Sequence, residues 1–147
     1  MTMTIGERLL GLDIGEVRIG VAISDELGSI ASPLAMIPRK GDVATELTKL
    51  ITKYMPSRLV VGLPVGLSGR EGPQAQATRE YAEELAAAVG LPIEYYDERM
   101  SSSIAEQTLI SQGTRREKRK QQIDAMAAAV ILQGYLDNQR WKSTRRR

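Results

Sequence analysis

From Leu9 to Asp25 two apolar runs, Leu9–Ile14 and Val17–Ile23, are separated only by Gly15-Glu16. Apolar runs of this length around a glycine-containing break are the pattern of a β-hairpin. The first run is interrupted by one acid, Asp13, just before the turn. An ionised carboxylate among strand residues costs several kcal/mol unless it is compensated. A metal ion, a substrate proton or an arginine can each serve as its partner, and so can the amides of the turn. The other acids have to decide between them.

The chain contains no histidine and no cysteine. This excludes Ser-His-Asp and Cys-His triads, imidazole acid–base chemistry and Cys/His zinc sites. Any chemistry must therefore run on carboxylates, hydroxyls, lysine or arginine, with a hard cation such as Mg²⁺ or Mn²⁺ as the fitting metal. The lack of disulfides suits the cytoplasm, and the N-terminal residues show no basic-then-apolar secretory pattern. With 147 residues, 42% of them hydrophobic, the expectation is a single domain over 1–147 with a basic tail from about 138 to 147.

Charge is segregated along the chain. The segment Arg115–Lys120 holds five basic residues and one acid, and Arg140–Arg147 holds five more basic residues. The remainder carries ten basic residues against seventeen acidic ones, a net charge of −7. An acidic body with two concentrated basic segments points to a polyanion met at particular places, although solvated charge explains the tail equally well. Trp141 in that tail suits packing of the last helix better than stacking on a base.

Further along, Ser29–Ile37 is a third strand candidate, and Pro33 within it suits an edge strand or a bulge. Asp42 can cap a helix reaching about Met55, with Val43, Leu47, Leu50, Ile51 and Tyr54 on one face. Arg58–Gly62 is short and β-branched, as a buried parallel strand should be. The loop Leu63–Gly72 has three glycines and one proline in ten residues. It leads into Pro73, suited to a first helical turn, and the helix closes at Gly90 with Ala77, Tyr81, Leu85 and Val89 at four-residue spacing. Such a loop resembles a phosphate contact but lacks the Gly-Lys-Ser/Thr of a nucleotide cradle. Pro92–Tyr96 is the last strand, followed by Asp97-Glu98-Arg99. Ser103 and Glu106 make a capping box for a helix to about Gln112, which accounts for the serines without a nucleophile. A final helix, about Gln121 to Asp137, has Ile123, Met126, Ala127, Val130, Ile131 and Gly134 as its apolar face. Asp124 falls beside Ala127, Ala128 and Ile131, an unusual place for a lone acid.

Three antiparallel strands followed by helix, strand, helix, strand and two helices predict one five-stranded mixed α/β sheet. Right-handed crossovers set the last two strands parallel to the first. Sites in such sheets gather beyond the carboxyl ends of the parallel strands. Asp13, Glu98 and the Leu63 loop fall there, and Asp124 completes a three-carboxylate cluster if the last helix crosses the sheet. Three anions without histidine suit divalent cations, and a two-metal arrangement would hydrolyse a phosphodiester.

Several pieces together resemble the YqgF/RuvX family of Holliday-junction-resolvase-like and pre-16S rRNA nucleases. They are Leu12–Asp25, Gly62-Leu-Pro64, Gly72-Pro-Gln-Ala-Gln76, Asp97-Glu-Arg99, and the basic segment followed by Ile123–Ala128. The resemblance spans about Leu9 to Asp137. It implies a ribonuclease H-like fold, a cytoplasmic location, metal-dependent nuclease activity with Mg²⁺ or Mn²⁺, and maturation of the 5′ end of the 16S rRNA precursor. It also implies an acidic triad of Asp13, Glu98 and Asp124, acting as catalytic residues and metal ligands. Arg18 and Arg99 match its motif arginines, assigned to phosphate or carboxylate contacts. Arg115, Arg116, Lys118, Arg119 and Lys120 are the expected nucleic-acid-binding residues. Many members carry Asn and Asp in the loop after the fourth strand where this chain has Gly66 and Ser68, so the expectation is that this loop meets nucleic acid differently, without the loop carboxylate.

Three alternatives stand beside this. Action on four-way DNA junctions would favour a homodimer over a monomer. An actin-like ATPase shares the Asp-x-Gly hairpin but needs a second phosphate hairpin and an adenosine pocket. A non-catalytic RNA-binding assembly factor would keep the basic segments, yet would gain nothing from three converging acids.

Overall fold

The computed structural model describes residues 8–64, 72–97 and 116–145, with the side chains of 116–124 and 140–145 left out of the description. Five strands form one sheet: β1 (Leu9–Ile14), β2 (Arg18–Ser24), β3 (Ala31–Pro38), β4 (Arg58–Leu63) and β5 (Ile93–Asp97). Their order is β3-β2-β1-β4-β5, with β1–β2 and β2–β3 antiparallel and β1–β4 and β4–β5 parallel. The expected split between hairpin meander and parallel crossovers is therefore observed, with β1 in the middle.

Local chemistry sets most boundaries. Helix α1 (Val43–Tyr54) starts where the Asp42 carboxylate accepts the Thr45 N–H at 3.1 Å, and ends at Met55 in the left-handed region with φ 55°. Helix α2 (Pro73–Val89) has proline in its first turn and closes at Gly90, φ 77°. The β2–β3 register slips between Val21 and Ala22, whose partners are Ala35 and Pro33. The proline thus sits at a bulge on an edge strand, where a missing N–H is tolerated.

Alternate residues of β1 enter two cores, as strand geometry requires. Leu10 and Leu12 pack under α1 and α2 with Ile19, Val21, Leu47, Leu59, Val61 and Leu85. Leu9 faces the other layer, helix α3 (Arg116–Arg145), with Val60, Tyr96, Ala128, Leu132 and Tyr135. Each fully buried leucine or valine contributes about 1.5–3 kcal/mol, so each face is a real core.

Two helix faces differ in part from those expected, the four-residue stripe of α2 and the apolar face of the last helix, of which Ile131 and Gly134 are buried. In α2 the buried residues are Ala75, Thr78, Ala82, Leu85 and Ala86, and Ala77 is exposed. In α3 the buried stripe runs through Ala125, Ala128, Ala129, Ile131, Leu132, Gly134, Tyr135 and Leu136. An alanine-rich helix offers several weakly apolar stripes, and contact with the sheet selects among them. Helix α3 also exceeds the expected span at both ends, taking in Arg116–Lys120 and continuing to Arg145. Arg, Lys, Gln and Glu are good helix formers, so a charged segment next to an anchored helix can extend it.

Candidate nuclease site

Three parallel strands deliver their carboxyl ends to one edge of the molecule: β1 at Ile14, β4 at Leu63 and β5 at Asp97. Asp13 is the penultimate residue of β1, paired with Gly20, and is half-buried. By strand alternation it follows Leu9 and Gly11 onto the face covered by α3. That placement puts the carboxylate at the rim of a core.

The direction of α3 across this face is settled by side chains at its far end. Gln133 accepts the Ala31 N–H at 2.9 Å and donates to the Ser29 carbonyl at 3.0 Å. Ala31 pairs with Ser24, whose hydroxyl accepts the Leu9 N–H at 2.8 Å. The C-terminal half of α3 thus lies over the beginning of β1, and its N-terminal half runs toward the Asp13 end. Helix and strand approach closely at Gly11, where an added Cβ would sit 2.8 Å from Leu132 Cβ and 3.2 Å from the Ala128 carbonyl oxygen. Position 124 stands one helical turn before Ala128, on the same stripe of the helix.

A second close approach, at Gly134, fixes α3 on β5. A Cβ there would lie 2.6 Å from the Tyr96 hydroxyl oxygen. Burial, and then the charges of Asp137 and Asp97, push the Tyr96 phenol above its ordinary range. Glu94, on the same face of β5, accepts from the Tyr135 hydroxyl and pairs with Arg58. Burial first, and that carboxylate second, push Tyr135 up to about 12.

Arg18 opens β2 opposite Pro38 and is exposed at the hairpin. Glu98 is the next residue in sequence after Asp97 and lies outside the described residues, as do Arg99, Arg115, Gly66, Ser68 and the helix expected from Ser103. Arg116, Lys118, Arg119 and Lys120 fall in the first turns of α3, and Asp124 follows them. Among the described residues no group of three or more acids, histidines or cysteines is placed to hold a metal ion. No helix among them is long and apolar enough to cross a membrane.

Sequence reasoning missed Arg39. Its guanidinium donates to the Gly15 carbonyl at 3.0 Å and stacks 4.1 Å from the centre of the Tyr81 ring. A lone arginine after a strand-ending proline carries no local signal. Its partners are brought to it by the hairpin and α2.

A mixed sheet in this order, with an acid at the end of the central strand and a long helix across one face, defines the ribonuclease H-like class. The solved structure of Thermus thermophilus RuvC in complex with Holliday junction substrate shares the fold: TM-score 0.56 at 12% identity, covering 88% of this chain and 94% of that one. The family model described as RuvX, Holliday junction resolvase, matches residues 7–138. The chain belongs to the RuvX family, which makes it a hydrolase of the nuclease class. Among its relatives, a protein of Chloroflexus aggregans is 45% identical over 136 residues, covering 91% of this chain and 96% of the relative. One of Symbiobacterium thermophilum is 48% identical over 133 residues, covering 88% and 92%. Both bear the provisional name pre-16S rRNA nuclease.

Proposed function

We propose that this protein is a divalent-metal-dependent nuclease of the cytoplasm that hydrolyses phosphodiester bonds at the 5′ end of the 16S rRNA precursor. The observation that carries the proposal is Asp13, a half-buried carboxylate at the end of the central strand, where the parallel strands β1, β4 and β5 all terminate. Its donor chemistry fits Mg²⁺ or Mn²⁺: hard carboxylate oxygen, in a chain with no histidine or cysteine. Asp13, Glu98 and Asp124 are the residues proposed to hold the metal. Glu98 directly follows the last residue of β5, and Asp124 is one turn before the helix position that touches Gly11. A bound divalent cation supplies Lewis acidity toward the phosphoryl oxygen and a more acidic water.

The protein's own residues divide the remaining work. Asp13, half-buried opposite Gly20 near the end of β1, is proposed to present its carboxylate to the metal from the rim of the core. Arg18 and Arg99 are proposed to meet phosphate. Arg115, Arg116, Lys118, Arg119 and Lys120 are proposed to hold the nucleic-acid backbone, which attracts cations whatever its sequence.

Cleavage of end-labelled pre-16S rRNA fragments and of four-way DNA junctions, run in parallel with Mn²⁺, Mg²⁺ or chelator, tests the proposal. The expected result is metal-dependent cutting of the RNA that falls by about two orders of magnitude or more in Asp13→Asn, because a carboxylate–metal contact is worth several kcal/mol. Cutting confined to the junction would overturn the assigned substrate. Binding without cutting under all conditions would overturn the enzyme and leave an assembly factor.

A further inference from the structure

We propose that Arg39 is a positioning residue for the catalytic hairpin: it grips the turn after Asp13 and ties it to helix α2. The inference rests on the nuclease proposal, since it assigns Arg39 a part in presenting Asp13.

The turn between β1 and β2 is Gly15–Val17, and Gly15 closes it by donating its N–H to the Arg18 carbonyl at 3.0 Å. The closure is tight. A Cβ at position 15 would lie 2.8 Å from that same carbonyl oxygen. Arg39 then binds the turn at both ends. Its backbone N–H donates to the Val17 carbonyl at 2.9 Å, and its guanidinium donates to the Gly15 carbonyl at 3.0 Å. The flat face of the guanidinium covers the Tyr81 ring on α2 at 4.1 Å.

A hairpin needs only its ladder and its turn to form. A third strand's end reaching across to hold the turn carbonyl, while stacked on a separate helix, over-determines it. Because Asp13 is two residues before Gly15, a turn held at three points limits the swing of the strand end that carries the carboxylate. Arginine is suited to this task and lysine is not. Its planar group can donate in-plane to a carbonyl and stack through its face at once. Arg39 also lines an open cavity of about 330 Å³ together with Asp42, Tyr81 and Glu84.

The test compares full-length wild type with Arg39→Met, Arg39→Lys and Tyr81→Leu. Hydrogen exchange at the Gly15 amide is read without substrate, and the Val60 amide in β4 serves as a control for global folding. Arg39→Met is expected to speed exchange at Gly15 about tenfold while leaving Val60 unchanged. On the pre-16S rRNA fragment, kcat is expected to fall about tenfold with KM within about twofold, the pattern of lost alignment rather than lost binding. Tyr81→Leu is expected to move both quantities in the same direction, and Arg39→Lys to restore little. A raised KM at constant kcat, full recovery with lysine, or an unchanged Gly15 amide would each overturn the inference. If wild type cuts and Arg39→Met cuts equally well, this inference alone falls. If wild type cuts no substrate, the nuclease proposal falls and takes this one with it.

Discussion

Replacing Gly11 by alanine adds a single methyl group at a close approach of α3 to β1. The new Cβ would lie 2.8 Å from Leu132 Cβ and 3.2 Å from the Ala128 carbonyl oxygen, whereas non-bonded carbons settle at about 3.5–4.0 Å. Neither neighbour is the free end of a flexible side chain, so strand and helix must separate by about an ångström. Overpacking of this kind costs about 1–3 kcal/mol. Alanine's entropic advantage over glycine returns about 0.5–1 kcal/mol, so the clash prevails. For a domain near this size the expected result is a melting temperature lower by about 2–8 °C. With ordinary domain stability of about 5–15 kcal/mol, the protein stays folded at 25 °C, and any loss of kcat then reports geometry. A one-ångström displacement costs up to about a hundredfold in rate, so α3, if it sets the distance between Asp13 and Asp124, should lose more activity than stability. Thermal melts and single-turnover cleavage measure the two effects, with Gly134→Ala as the comparison: it crowds Tyr96 farther along α3 and should cost stability with less loss of rate. Unchanged melting and unchanged rate in Gly11→Ala would refute the close contact. Lost stability at full rate would refute the link between helix placement and catalysis.

Other substitutions separate binding from chemistry. The combined change Asp13→Asn, Glu98→Gln and Asp124→Asn should abolish cleavage while RNA affinity, read by filter binding, stays equal or rises, because three negative charges leave the path of a polyanion. Changing Arg115, Arg116, Lys118, Arg119 and Lys120 to alanine should weaken binding and flatten its salt dependence, with log K against log[salt] losing about 0.7–0.9 per phosphate contact removed. Tyr135 contributes stability that is complete below its ordinary pKa of 10.0 and is lost as pH rises through about 12. Tyr135→Phe should therefore remove part of the alkaline loss in that window and, through the lost bond to Glu94, cost about 1 kcal/mol near neutrality. Denaturant melts at neutral and alkaline pH, with ultraviolet titration of the phenols, check both statements.

The parts of this molecule legible in its sequence are those whose causes are local. A carboxylate three residues before an amide caps α1, proline opens α2, glycine closes it, and Pro33 marks the bulge on the edge strand. Crossover handedness extends these to the sheet, because only one hand lets a helix pack back between parallel strands. What escaped has causes distant in sequence. The buried stripe of α2 is chosen by the sheet from several alanine-bearing candidates. The direction of α3 depends on Gln133 meeting Ser29 and Ala31. Arg39 acquires its part only when Gly15 and Tyr81 are folded around it. Asp13 is the instructive case, because it was visible for the opposite reason: it breaks the apolar pattern of its own strand. Such a breach survives in a stable fold only where something compensates it. The fold places the breach where three parallel strands end and beneath the path of α3. A residue that local rules disfavour thus stands at the sheet edge where the parallel strands end, the place to which the metal site is proposed.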